Sequence, residues 1–298
     1  MNRLRTAILG FALPAALLSG CFTTDPLLPP GGGGGWGGGG GWGGNGPASG
    51  TATPGDASAA LSPYDLAVDP GTGELVVISS EVGAWGGGQT IAVVDRDSLV
   101  TKRSWVLPAE LWALSLGMTA PGKAFFSNGS YDNYTIDLVT GEFNLTTGMD
   151  GLSNRSAAYA DGGGGGDLGA GSGGGDGDGD VATLECEPQM GSPISIWGGA
   201  SDSRSLLTET PLAADLSHVD GVAYAPDRGV LFVLTMGDAI RAIDTSTGRT
   251  TYDVASLSGT WELPSGLAYD ALNGQVLTLA NTYDDSGAPS WSVTAYDL

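Results

Sequence analysis

GVAYAPDRGVLFVLT (Gly221–Thr235) decides the fold. Two runs of small, aromatic and β-branched residues flank PDRG, a composition that makes two strands joined by a tight turn. The same design recurs as DLAVDPGTGELVVIS (Asp65–Ser79), ALSLGMTAPGKAFFS (Ala113–Ser127) and GLAYDALNGQVLTLA (Gly266–Ala280). In each, a small or apolar anchor precedes a turn glycine by six positions: Ala67/Gly73, Leu116/Gly122, Ala223/Gly229 and Ala268/Gly274. A third strand follows, ending at Asp95, Asp137, Asp244 or Asp297. A fourth comes after it, twice through a Thr-Gly turn, as in DLVTGEF and DTSTGRT. A helical period is discernible only weakly, around 109–114.

A fifth unit is interrupted by DGGGGGDLGAGSGGGDGDGD (Asp161–Asp180). SAAYAD (Ser156–Asp161) reads as its first strand with Ala158 as anchor, VATLEC (Val181–Cys186) as the second, ISIW (Ile194–Trp197) as the third and SRSLLTE (Ser203–Glu209) as the fourth. The anchors are then 49, 42, 65 and 45 residues apart, and the long interval falls to 49 once the sixteen extra loop residues are removed. The run at 161–180 is therefore expected to be an enlarged, disordered hairpin loop inside one unit. With no aromatic and one leucine, Leu168, it cannot offset the entropy of ordering and is expected to make no stable contacts.

Five units of four strands resemble an all-β fold, the β-propeller, and the motif GVAYAPDRGVLFVLT…IRAIDTSTGR is similar to YVTN- and NHL-type repeats. The resemblance covers Tyr64–Leu298 and implies five four-stranded blades over residues 57–298. It implies fold and not activity. A β-sandwich with similar hairpins is the structural alternative. Because the chain stops after a third strand, Thr53–Ser62 (TPGDASAALS) is expected to supply the outer strand of the last blade.

The first twenty residues read as a secretory signal: Arg3 and Arg5, then an apolar stretch too short to span a bilayer. Leu18-Ser19-Gly20-Cys21 resembles the lipobox of bacterial lipoproteins, which implies lipid on Cys21 and membrane anchoring by several acyl chains. The competing reading is ordinary secretion with a chance cysteine. Phe22, not Asp, follows, which points to the outer membrane, on its periplasmic side or at the cell surface. Residues 21–56, rich in Gly and Pro with Trp36 and Trp42, read as a flexible tether. Cys186 is then a lone thiol, best read as a small buried apolar residue. The net charge of −22 becomes −24 once the two leader arginines are removed, so nucleic-acid partners are disfavoured. A monomer is expected.

Asp176, Asp178, Asp180 and Glu187 carry a possible calcium site, with EF-hand-like spacing. However, Val181 occupies the position that needs glycine, and no flanking helices are apparent. No other cofactor is expected. His218 is the sole histidine and no cysteine pair accompanies it, so a zinc site of the usual His/Cys type is disfavoured. No GxSxG elbow occurs. The loops between second and third strands and between blades contain Glu81, Trp85, Tyr131, Asp132, His218, Asp220, Trp261, Glu262, Tyr283 and Asp284. These are a candidate binding face, since aromatics among acids suit a protein, peptide or glycan partner. Two functions follow from these readings. One is a lipid-anchored, non-catalytic binding or scaffolding propeller at the cell envelope. The other is a propeller hydrolase with a carboxylate-bound divalent metal at the channel mouth.

Overall fold

The computed structural model describes residues 49–57, 61–80, 89–128, 132–149, 154–158, 179–185, 188–200, 203–214, 216, 218–235, 239–257, 264–283 and 289–298. A strap comes first: β1 (Ser49–Thr51) and β2 (Thr53–Pro54). Blade 1 comprises β3 (Pro63–Val68), β4 (Leu75–Ser80), β5 (Gln89–Val94) and β6 (Thr101–Val106), and blade 2 comprises β7 (Ala113–Ala120), β8 (Lys123–Asn128), β9 (Asn133–Asp137) and β10 (Glu142–Leu145). Blade 3 is β11 (Asn154–Ala158), β12 (Val181–Glu185), β13 (Pro193–Ala200) and β14 (Ser203–Pro211), and blade 4 is β15 (Val219–Ala225), β16 (Val230–Thr235), β17 (Ala239–Asp244) and β18 (Thr250–Ser256). Blade 5 has β19 (Pro264–Asp270), β20 (Gln275–Tyr283) and β21 (Pro289–Asp297). Each blade is an antiparallel meander. The inner strands touch in the ring order β3, β7, β11, β15, β19 and back to β3, so the five sheets form a five-bladed β-propeller.

The strand sequences follow from this arrangement. A second strand lies inside its sheet and has a neighbouring blade on each face, so it is apolar throughout: LVVIS in β4 and VLFVLT in β16 are buried along their lengths. Sheets covered on both faces lose the usual alternation. Outer strands keep it loosely and are less buried: β6 is mostly half-buried or exposed, and β18 is largely exposed. The core is accordingly five wedges, one per blade interface. Val76 and Ile78 face blade 2 beside Phe126 and Ile136, while Leu75 and Val77 face blade 5 beside Leu277 and Leu279. Blades 3 and 4 meet over Leu184, Ile194, Leu231 and Val233, blades 4 and 5 over Phe232, Ile240 and Val276, and blades 2 and 3 over Phe125, Met149, Val181 and Trp197.

The repeat's punctuation is structural. Gly73, Gly122, Gly229 and Gly274 all have φ between 63° and 72°, the left-handed conformation that the hairpin requires. The aspartates ending the third strands staple the next turn. Asp137 Oδ1 accepts from the Val139 and Thr140 amides, Asp244 Oδ1 from those of Ser246 and Thr247, and Asp95 Oδ1 from that of Ser98. Gly141 and Gly248 follow at φ 75° and 68°; Leu99 holds the same place in blade 1 at φ 55°.

The third unit is a blade, since β11 pairs with β12 across residues 159–180, so the Gly/Asp run lies within a hairpin. Its first strand, however, sits upstream of the expected SAAYAD. Ser156, not Ala158, faces Thr183, the register that Ala67, Ala223 and Ala268 hold against Val76, Phe232 and Leu277. The expectation of no stable contacts fails at the end of the run. Gly179 N donates to Thr119 O at 2.5 Å, and Arg204 Nη1 donates to Gly179 O at 2.8 Å. Residues 159–178 lie outside the described residues, as do Cys186 and residues 1–48, Cys21 among them.

The expected outer strand for the last blade is overturned. The N-terminal segment lies instead on the first two blades. β1 pairs antiparallel with β10, β2 pairs antiparallel with β6, and Ala52 between them is buried and donates its amide to Gly141 O at 2.9 Å. Blade 5 has three strands among the described residues. The ring closes by side chains. Arg96 in the β5–β6 turn pairs with Asp270 at the end of β19 and donates to Gln275 Oε1 at 2.8 Å, and Asn281 Nδ2 donates to Pro63 O at 2.6 Å.

Candidate functional site

The segments expected to form the binding face interrupt strand pairs whose ends are described. Ser80 pairs with Gln89, Ser127 with Asn133, Thr235 with Ala239 and Tyr283 with Pro289. Pro63, Ala113 and Val219, which begin β3, β7 and β15, pair beside these same ends, with Ser79, Asn128 and Thr235. The interrupted connections therefore start from one end of the ring. Glu81, Trp85, Tyr131, Glu187, Trp261, Glu262 and Asp284 lie outside the described residues, and Tyr283 is placed by its backbone at the end of β20.

Three members of the expected face are described in full. Asp132 closes the β8–β9 connection: its amide donates to Asn128 Oδ1 at 2.8 Å, and its carbonyl accepts from Asn128 N at 2.8 Å. His218 and Asp220 come together at the start of β15, with His218 Nε2 3.4 Å from Asp220 Oδ1. Asp220 occupies the bulge between Val219 and Gly221, the extra residue that lets the chain enter the inner strand from its loop. Of the calcium candidates, Asp176, Asp178 and Glu187 lie outside the described residues. Asp180 is half-buried beside Arg204. Burial pushes its carboxyl up from the ordinary range, and the positive charge of Arg204 opposes that shift. Among the described residues, no group of three or more His, Cys, Asp or Glu side chains could hold a metal ion.

Sequence reasoning named a channel mouth but not the residues that line the space between the inner strands. A cavity of about 160 Å³ lies at its hairpin end, away from the interrupted connections, and is lined by Leu66, Leu116, Met118, Ala223 and Ala268 together with Tyr224 and Asp270. It exists because three of the four visible anchors are alanines, a signal present in the repeat. The polar residues beside it, and Gln89 at the opposite end of the blade, are engaged between blades. Asp65, 4% exposed, accepts from Leu66 N at 2.9 Å and from Leu116 N at 2.8 Å, tying blade 1 to blade 2. Asp69 does the same at the hairpins, through Gly71 N at 2.8 Å and Gly122 N at 3.1 Å. Gln89 Oε1 accepts from Ala113 N at 2.5 Å, and its Nε2 donates to Tyr64 Oη at 2.6 Å. Asp270 is fully buried. Burial pushes its carboxyl up, but hydrogen bonds from Asn273 and Arg96 outweigh this and hold it below the usual carboxylate range. Tyr224 is pushed up to about 12 by burial and by the negative charge of Asp180.

No family model matches this chain, and no curated protein matches it in sequence. The likeness to YVTN- and NHL-type blades rests on the quoted motifs alone.

Proposed function

We propose that the protein is a lipid-anchored β-propeller of the cell envelope that binds or scaffolds a protein, peptide or glycan partner without catalysing a reaction on it. The observation that carries this reading is the use made of the polar groups between the blades. Asp65, Asp69, Gln89, Arg96 and Asp270 bridge neighbouring blades or brace their hairpins, and the cavity between the inner strands is mainly apolar. Recognition then falls to the loops at the other end, where His218 and Asp220 meet and where the sequence places Trp85, Tyr131, Trp261 and Glu262. The leader and Leu18–Cys21 support the anchor, and residues 22–48 are long enough to hold the ring clear of a bilayer.

Two measurements test this. Cys21→Ser should move the protein from the membrane to the soluble fraction and abolish labelling by radioactive palmitate; retained label removes the anchor from the reading. Photo-crosslinking residues placed at Trp85 and Trp261 of the full chain should give discrete adducts in cells, while one at Leu272, exposed on the hairpin side, should not. A hydrolytic activity lost on chelation of divalent metal would replace this reading with that of a propeller hydrolase.

A further inference from the structure

Blade 5 differs from the others at its outer wall. In the other four blades a fourth strand covers the third, and β5, β9 and β17 are mostly buried. β21 is the third strand of blade 5, and among the described residues nothing pairs with its outer edge. Ser290, Ser292, Thr294, Ala295 and Asp297 are exposed, while Trp291, Val293 and Tyr296 are only half-buried although they pack on the core wedges. Its pairing with β20 runs in unbroken register over nine residues, where the second-to-third pairings of the other blades run over six at most. Every second backbone amide and carbonyl of such a strand points outward. None of the usual edge protections interrupts it: no lysine, no bulge, no proline after Pro289, and one charge, Asp297.

We infer that β21 is a docking edge that a β-strand of a partner protein completes as the fourth strand of blade 5. The chain itself defines the chemistry of that position. Three of its four outer strands, TKRSWV, EFNL and TTYDVAS, run over four to seven residues with a large apolar residue turned inward, namely Trp105, Phe143 and Val254, while the fourth, SRSLLTETP, runs over nine. Strand addition to outer walls is already in use here, by β1 on β10 and β2 on β6. With a net charge of −22, the partner strand is selected for basic flanks, and a second copy of this chain is disfavoured. The occupant is therefore an extended segment of about six or seven residues, rich in Ser and Thr, with one large apolar side chain facing the sheet and Lys or Arg beside it.

The test uses the full chain and a fluorescent peptide, TKRSWVL, copied from Thr101–Leu107. Saturable binding is expected, weakened about tenfold or more when Ser104 and Val106 of the peptide are replaced by proline, which breaks the ladder. The same loss is expected when the protein carries Ser292→Lys with Thr294→Lys, which leaves the core untouched and charges the edge. Hydrogen exchange should slow on binding at Pro289–Asp297 only. A variant with Thr245–Ser256 appended after Leu298, supplying a turn and an outer strand in cis, should melt higher and no longer bind the peptide. No binding, binding indifferent to the prolines or lysines, or protection elsewhere would overturn the inference; so would a concentration-dependent dimer that protects β21, which names a second copy as occupant. This wall is separate from the loop face. Protection at the loops alone would sink the docking edge and leave the preceding proposal standing.

Discussion

Gly248 and Gly122 have nearly the same backbone, at φ 68° and 72°, but different surroundings. A Cβ on Gly122 meets nothing within 4 Å, whereas one on Gly248 runs into the carbonyl of Pro211 in the neighbouring blade. Gly122→Ala should therefore cost only the left-handed backbone penalty, about 1 kcal/mol. Gly248→Ala adds a backbone collision and should cost roughly 2–4 kcal/mol. Urea unfolding of the two variants separates them, and equal losses would refute the close approach of the two blades. Tyr134 makes a second case at this scale. It stacks on Phe126 with ring centroids 5.4 Å apart, and its buried hydroxyl has no hydrogen-bond partner among the described residues. Burial, with the charges of Asp132 and Glu110, pushes that hydroxyl up to about 12, so it stays neutral. Tyr134→Phe keeps the ring and removes an unsatisfied group, so stability should stay level or rise by about 1 kcal/mol. A loss beyond that range would mean that the hydroxyl has a partner.

The hairpin of blade 3 shows what an element tolerates. Its strands pair from Asn154↔Glu185 to Ala158↔Val181, and its loop is pinned where it re-enters the sheet, at Gly179. Replacing residues 162–178 with an Asn-Gly turn, while keeping Gly179 and Asp180, should leave the fold intact. By closure entropy it favours the shortened form by on the order of 1 kcal/mol, seen as a small rise in Tm. Should Asp176 and Asp178 hold calcium, chelation would lower the Tm of the intact protein and not that of the shortened one. The elements legible in the sequence are those whose chemistry is local. A glycine at each hairpin and an aspartate before each Thr-Gly turn announce themselves by spacing. Leu99 does not, because it takes the left-handed place of a glycine while packing on the core. The first strand of blade 3 lies two residues upstream of the expected register, a difference the sequence hides because alternating small residues pair equally well in registers two apart. The strap lies on blades 1 and 2 instead of the last blade, and TATPG carries no strand signal that would tell; its place is set by the free edges of β10 and β6 and the burial of Ala52. Of the candidate face, only the meeting of His218 with Asp220 was within reach, two residues apart on one strand entry.

At the scale of the whole molecule, the ring has one seam, between its last blade and its first. Among the described residues no strand crosses it. Arg96 reaches over from blade 1 to Asp270, which is wholly buried, while Arg96 itself keeps 26% of its side chain exposed. Arg96→Gln should leave that carboxylate short of its cation and cost about 2–3 kcal/mol, less than for a fully buried pair because Arg96 is partly solvated. The sign with pH follows from the depressed carboxyl of Asp270. Its contribution is fully present above the ordinary value of 3.8 and is lost as pH falls through the lower, folded value. The difference between wild type and Arg96→Gln in urea should therefore be full at pH 7 and shrink below about pH 4. A difference that grows in acid would be inconsistent with the pairing.

The strap also decides how the molecule bears a load. A pull on the chain upstream of Ser49 does not reach the inner strand β3 directly, because β1, Ala52, β2 and Gly55 are each bonded to the outer walls of blades 2 and 1. Tension is delivered to the rim of two blades and must strip that row of bonds, one group after another, before it can draw on the strand around which the ring is built. The strap is a strain relief, and under force this propeller should shed Ser49–Gly55 from its rim and stay closed.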